Sequence, residues 1–118
     1  MRDWITQLRK GVLEFCVLNV LASGENYGYQ LIQRLQGIKE LAVTESTAYP
    51  LLNRLREDGY VGMRIEPSSA GPPRRYYALT DLGQRRVKEM NSYWHDLSES
   101  IRRIIADNSP QEVSGDAR

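Results

Sequence analysis

The sequence predicts a mainly α-helical chain with one small β-hairpin. Two observations carry that prediction. Apolar residues return at helical spacing in four separate stretches, as in helices that turn one face to a core. Between the third and fourth stretches the period switches to two: Val61, Met63 and Ile65 alternate with Gly62, Arg64 and Glu66, as in a half-buried strand. A chain of 118 residues is of one-domain size and buries a modest core. Its 41% hydrophobic and 26% charged residues are ordinary for a soluble globular protein, so pattern has to carry the reading.

The first helix is expected from about Asp3 to Ser23, ended by Gly24. Trp4, Ile5, Leu8, Val12, Phe15, Cys16, Leu18, Val20 and Leu21 cover more than one of its faces, so burial on more than one side is expected. The second side is either a subunit contact or part of a central core. A shorter helix follows from about Tyr27 to Gln36, with Leu31, Ile32 and Leu35 inward. At its start Gly28 permits close backbone approach, and Tyr27 and Tyr29 either reach a phosphate or pack at an edge. Gly37 to Val43 makes the turn into the third helix.

That third helix runs to Gly59 from a start that Thr44 or Ser46 can cap, with Gly59 ending it in the left-handed conformation. Ala48, Leu51, Leu52 and Leu55 form its inner face. The other face presents Ser46, Tyr49, Pro50 and Asn53, with Arg54 and Arg56 beside it. Hydroxyl, amide and guanidinium groups near the N-terminal end of a short helix suit base edges and phosphates in a DNA major groove. Pro50 lacks an amide donor and crowds the preceding turn, so either a late helix start near Ser46 or a local distortion is expected. Two helices joined by a short turn make a helix-turn-helix candidate.

The return strand of the hairpin is Arg74-Arg75-Tyr76-Tyr77-Ala78-Leu79, across the turn-rich tip Pro67-Ser68-Ser69-Ala70-Gly71-Pro72-Pro73. A hairpin directly after the helix-turn-helix makes a winged helix. Arg74 and Arg75 at its neck suit phosphates or the minor groove, or only keep an edge soluble. Thr80 then caps a long last helix, with Asp81 near its positive end. Along it Val87, Met90, Trp94, Leu97, Ile101 and Ile104 step by three, four, three, four and three. That is a heptad seam. It is most simply buried against a second copy, which would set two reading helices about one DNA turn apart, or else it packs on its own first helix. The expected layout is thus a winged helix-turn-helix over residues 1–80, a dimerisation helix over 81–107 and a disordered tail over 108–118.

Other function classes find little support. With one cysteine, Cys16, one histidine, His95, and no carboxylates clustered at ligand spacing, no metal site is expected. No Ser-His-Asp or Cys-His arrangement and no phosphate-loop glycine pattern is present. No enzyme activity and no cofactor are therefore expected. No stretch has the length of a membrane span or the layout of a signal peptide, and a single cysteine fits a reducing cytoplasm. The net charge is only +1, whereas many nucleic-acid binders are plainly basic. Any positive field must be local. Between Tyr49 and Arg86, Arg54, Arg56, Arg64, Arg74, Arg75, Arg85 and Arg86 face Glu57, Asp58, Glu66 and Asp81. The weak charge keeps a second class open, a protein-interaction or ligand-sequestering adaptor with little DNA affinity.

Four segments resemble one known family. They are Leu8-Arg9-Lys10-Gly11-Val12-Leu13-Glu14, Tyr27-Gly28-Tyr29-Gln30-Leu31-Ile32, Ser46-Thr47-Ala48-Tyr49-Pro50-Leu51-Leu52-Asn53-Arg54-Leu55 and Arg75-Tyr76-Tyr77-Ala78-Leu79-Thr80-Asp81-Leu82-Gly83. Together they are similar to the PadR family of bacterial transcriptional regulators, in its smaller subfamily with a single C-terminal helix. The resemblance implies a dimeric winged-helix repressor on an inverted-repeat operator in double-stranded DNA, with the first and last helices in the dimer contact. It implies Ser46, Thr47, Tyr49 and Asn53 in or beside the major groove, and Tyr27, Arg74 and Arg75 on phosphate or wing contacts. It also implies an aromatic effector in a pore at the dimer axis, lined by Leu8, Gly11, Val12, Phe15, Trp94, Leu97, Ser98 and Ile101. Trp94 lies on the seam as well, and either flanks that pore or fills the dimer core.

Overall fold

The computed structural model describes residues 2–108. Its elements run α1 (Arg2–Ala22), β1 (Asn26–Tyr27), α2 (Gly28–Gln36), a 3-10 turn (Lys39–Leu41), α3 (Glu45–Glu57), β2 (Val61–Glu66), β3 (Arg74–Leu79) and α4 (Asp81–Asn108). This is the expected mainly helical winged helix-turn-helix order, followed by one long helix. The tail expected to be disordered lies, from residue 109, outside the described residues. By their contacts, residues form two units, Met1–Lys88 and Glu89–Arg118.

In the first unit, α1 packs on α2 and β3, α2 packs on β3, and α3 packs on β2. The core is built from Leu13, Val17, Leu18 and Leu21 of α1, Leu31, Ile32 and Leu35 of α2, and Ala48, Leu51, Leu52 and Leu55 of α3. Tyr77 of β3 and Val87 of α4 are buried with them. The α2 and α3 sets are those expected from helical spacing. On α1 the stripe buried within the chain is narrower than its apolar surface: Trp4 and Leu8 are exposed, and Val12, Phe15 and Cys16 are half-buried.

The sheet has one strand more than a hairpin. Its order is β1-β3-β2, with β2 and β3 antiparallel through Val61↔Leu79, Met63↔Tyr77 and Ile65↔Arg75. The two-residue β1 pairs antiparallel with β3 through Asn26↔Tyr77 and Tyr27↔Tyr76. That pairing fastens the start of α2 to the neck of the wing. Burial along β2 fades from Val61 outward, and Ile65 is exposed. The wing thus leaves the core as it approaches its tip.

The helix ends follow local chemistry. Gly59 takes φ +86° after α3, a conformation that costs glycine little. Thr80 caps α4, its hydroxyl accepting from the Gly83 N–H at 3.0 Å and donating to the Gly59 carbonyl at 2.6 Å. At α3 the N-cap is Thr44, in extended backbone conformation, but no side-chain oxygen caps the amides of the first turn. Its hydroxyl lies instead 3.0 Å from that of Ser46 and 3.1 Å from that of Thr47. Pro50 lies inside the helix, five residues after Glu45, and the helix thus starts within one residue of the late start near Ser46 that the sequence suggested. The proline removes the donor that would have reached the Ser46 carbonyl, and Ser46 is solvent-exposed, where water can take that acceptor.

Candidate nucleic-acid interface

Four of the nine expected contact residues share one surface of α3. With Ala48, Leu51, Leu52 and Leu55 buried, helical geometry turns Ser46, Pro50 and Asn53 directly outward, with Tyr49 on their flank. Glu57 follows on the same line, so the uncharged polar strip occupies the N-terminal part of the helix and a carboxylate closes its far end. The Asn53 amide oxygen accepts from Arg56 Nη1 at 3.5 Å. Thr47 lies on the opposite flank, where it lines a shallow groove with Pro50, Arg54 and, from α1, Lys10 and Leu13.

Tyr49 is held from behind. A recess of about 310 Å³ is lined by Tyr27, Gly28, Tyr29, Tyr49, Pro73 and Arg75, bringing α2, α3 and the wing neck to one place. A Cβ added at Gly28 would lie 3.1 Å from Tyr77 Cε2, 3.7 Å from the Arg75 carbonyl and 3.8 Å from Tyr49 Cε1. The glycine therefore lets β3 and Tyr49 close over the start of α2, the close approach its sequence position suggested. Burial, with Glu45, Tyr77 and Tyr27 adding to it and Arg75 opposing, pushes the Tyr49 phenol pKa up. Tyr49 thus meets a ligand as a neutral hydroxyl, able to donate and accept.

Tyr27, Arg74 and Arg75 gather at the wing neck. The Arg74 guanidinium lies 5.0 Å from the Tyr27 ring centroid, a cation–π distance. Tyr27 also stacks at 5.7 Å from Tyr76. Arg74 and Arg75 are exposed and enter no ion pair among the described residues.

Three other arginines of the expected positive field are paired with carboxylates within the chain. Arg64 makes two hydrogen bonds to Glu25, at 2.7 and 2.9 Å, and one to Glu66 at 3.2 Å, while stacking 4.5 Å over Tyr76. The Arg64 hydrogen bond, aided by its charge and opposed by slight desolvation, holds the Glu25 carboxyl below its ordinary pKa. Arg54 and Arg86 share Glu14 of α1: Arg54 Nη2 lies 3.2 Å from Oε1, and Arg86 Nε 3.0 Å from Oε2. Arg86 also donates to the Tyr60 hydroxyl at 3.1 Å. Burial works against the Arg86 charge, but the hydrogen bond and charge of Glu14, with Tyr60 and Asp58, offset it and raise the pKa. Arg54, expected on DNA, is thus paired inward in the free chain.

Glu14, Glu25, Tyr76 and Pro73 are among the site-associated residues to which sequence reasoning gave no role. Glu14 carried a signal: a lone carboxylate interrupting the apolar stretch from Val12 to Leu21 requires a partner when it is buried. What the sequence could not supply was the partners, 40 and 72 positions away.

The residues expected at a dimer contact or effector pore lie in both units. On α1, Leu8 and Gly11 are exposed, while Val12 and Phe15 are half-buried. On α4, Val87 is buried within its own chain at 5% exposure, so the open part of the seam begins after it. Met90 and Ser98 are half-buried, and Trp94, Leu97, Ile101 and Ile104 are exposed. Tyr93 and Ile105 are exposed as well, at 70% and 60%, which widens the apolar surface beyond a strict heptad line. Cys16 is half-buried, and burial raises its thiol pKa, which makes it a poor nucleophile. No group of three His, Cys, Asp or Glu among the described residues is arranged to hold a metal, and no described helix is long and apolar enough to cross a membrane.

Comparison with known proteins agrees with this geometry. Residues 17–89 match the transcriptional regulator PadR-like family. The chain is similar to a solved PadR-like transcriptional regulator from Bacillus cereus, with 34% identity, a TM-score of 0.76, and 84% of this chain and 96% of that one covered. A solved Streptococcus transcriptional regulator is 39% identical with a TM-score of 0.72, over 83% of this chain and 96% of the other. The negative transcriptional regulator PadR of Bacillus subtilis is 24% identical over 77% of this chain and 51% of its own length.

Proposed function

This chain belongs to the PadR-like family of transcriptional regulators, and from that premise we propose that it is a homodimeric repressor that reads an inverted-repeat operator with α3. Membership makes it a DNA-binding regulator and not an enzyme, so the adaptor alternative loses its ground. The observation that carries the finer reading is the outward strip Ser46–Pro50–Asn53 with Tyr49 beside it, on a helix whose first turn has no side-chain cap. Amides and hydroxyls at such an end suit phosphates and base edges. Tyr27, Arg74 and Arg75 flank the strip and would carry sequence-independent backbone contacts. Thr47 and Pro50 would line the groove on the other flank.

Dimerisation is supported by the chemistry of α4. Trp94, Leu97, Ile101 and Ile104, joined by Tyr93 and Ile105, leave a broad apolar surface in water, the kind that marks an interaction site. Repression is supported by the name of the Bacillus subtilis relative, a negative regulator. In this proposal an aromatic effector would bind at the dimer axis, with Trp94 and Leu97 against its flat face. It would act only by binding the DNA-free arrangement more tightly than the DNA-bound one.

The experiment is a fluorescence-anisotropy titration of an inverted repeat from the gene's own upstream region at several salt concentrations. Tyr49→Ala should lose operator affinity about tenfold or more while remaining folded. Arg75→Ala should bind every duplex more weakly and reduce the salt slope by about one per subunit. Undiminished operator affinity in Tyr49→Ala would remove α3 from the reading head.

A further inference from the structure

We propose that Glu14 withholds Arg54 from DNA, acting as an internal stand-in for a phosphate that keeps the reading helix from gripping non-operator duplex. The inference rests on the assignment of α3 as the reading helix.

Arg54 stands on the flank of the α3 strip, one turn after Pro50, and its side chain is 58% exposed, whereas that of Glu14 is only 17% exposed. The guanidinium is therefore within reach of solvent, but its Nη2 donates to a sheltered carboxylate oxygen at 3.2 Å. A carboxylate presents the same planar acceptor pair that a phosphate edge offers to arginine. Beyond the cluster, a phosphate meets one net positive charge where Arg54 and Arg86 without Glu14 would present two.

The other half of the cluster makes the arrangement reversible. Glu14 Oε2 is held separately by Arg86 at 3.0 Å. Arg86 is braced by the Tyr60 hydroxyl at 3.1 Å and lies 4.4 Å over the Tyr60 ring. Arg54 can leave without stranding an unpaired, sheltered carboxylate, which would be costly. A well-fitted operator that presents a phosphate at this flank can then recruit Arg54. A loosely held duplex has to compete with Glu14 for it. Glu14 is thus a positioning residue that lowers background binding and keeps specific binding less penalised.

The test is anisotropy on a non-operator duplex over a range of salt, beside the operator titration of the same preparations. Glu14→Gln keeps the shape and removes the charge. It should raise non-operator affinity several-fold and steepen the salt dependence by about one counterion per subunit. Adding Arg54→Gln should cancel both changes, whereas adding Arg34→Gln, which restores the same net charge from α2 outside this cluster, should not, and that difference separates the effect from a general rise in net charge. An unchanged slope in Glu14→Gln, or a gain that survives in the double variant, would overturn the proposal. Should Glu14→Gln fail to fold in a thermal melt, Arg54→Gln alone decides. It should leave the non-operator slope nearly unchanged, whereas Arg75→Gln lowers it by about one per subunit. An equal loss in the two variants would overturn it. A native protein without salt-dependent DNA binding would instead overturn the DNA reading, and this inference with it.

Discussion

Gly83→Ala should unfold the winged-helix unit at markedly lower temperature, although it replaces a helical glycine by the best helix former. Gly83 lies in the first turn of α4 and is buried. A Cβ there would overlap the Tyr60 carbonyl oxygen, and would stand 3.0 Å from the Tyr60 carbonyl carbon and 3.2 Å from Leu79 Cδ2. Tyr60 is poorly placed to retreat. Its N–H donates to the Leu55 carbonyl at 2.9 Å, and its own carbonyl accepts from the Thr80 N–H at 3.1 Å. Gly83 is tied too, its N–H donating to Thr80 Oγ1 at 3.0 Å. Propensity favours alanine by about 1 kcal/mol. Overpacking against backbone costs about 1–3 kcal/mol, and a displaced hydrogen bond adds about 1 kcal/mol. With the overlap falling on a pinned carbonyl, the upper end applies and the net loss is about 2–3 kcal/mol. For a domain of this size that is a fall in Tm of about 10 °C or more. Urea unfolding should show a lower midpoint at an unchanged slope, while Gln84→Ala, at an exposed neighbouring position, should stay within about 0.5 kcal/mol of the native chain. A Gly83→Ala protein as stable as the native one would refute the packing argument at this junction.

Two further outcomes are expected. The depressed carboxyl of Glu25 contributes stability above the ordinary carboxylate range and loses it as pH falls through its lowered pKa. The native chain should therefore melt above Glu25→Gln at neutral pH, with the gap closing in acid, and a gap that stays constant from neutral to acidic pH would contradict the ion pair. Introducing Leu97→Asp together with Ile101→Asp should halve the mass seen by sedimentation and abolish cooperative operator binding. A double variant that sediments as a dimer would move the subunit contact off the exposed seam of α4.

What could be read from the residues was whatever repeats locally. The period of α2 and α3 placed Leu31, Ile32, Leu35, Ala48, Leu51, Leu52 and Leu55 inward, and all seven are buried. The alternation Val61, Met63, Ile65 and the cluster of prolines gave the wing. The Thr80 cap and the Gly59 stop were legible because each is a local rule of backbone chemistry. What escaped depended on residues far apart in the chain. β1 has only Asn26 and Tyr27, too few for any periodicity, and exists because β3 offers an edge. Counting arginines between Tyr49 and Arg86 overstated the available field, because Glu25 lies 39 positions from Arg64 and Glu14 lies 40 and 72 positions from Arg54 and Arg86. Val87 fits the heptad by spacing, yet it is buried in its own chain, since the first turns of α4 still belong to the winged-helix unit. The same spacing serves a core and an interface, and only the fold separates them.

The most direct test of the central claim is an amide chemical-shift titration of the native protein with its operator duplex. The account predicts the largest changes at Ser46, Thr47, Tyr49 and Asn53, with a second group at Arg74 and Arg75, saturating at two chains per duplex. Changes confined to α1 and α4, with the amides of α3 unmoved at saturation, would contradict it.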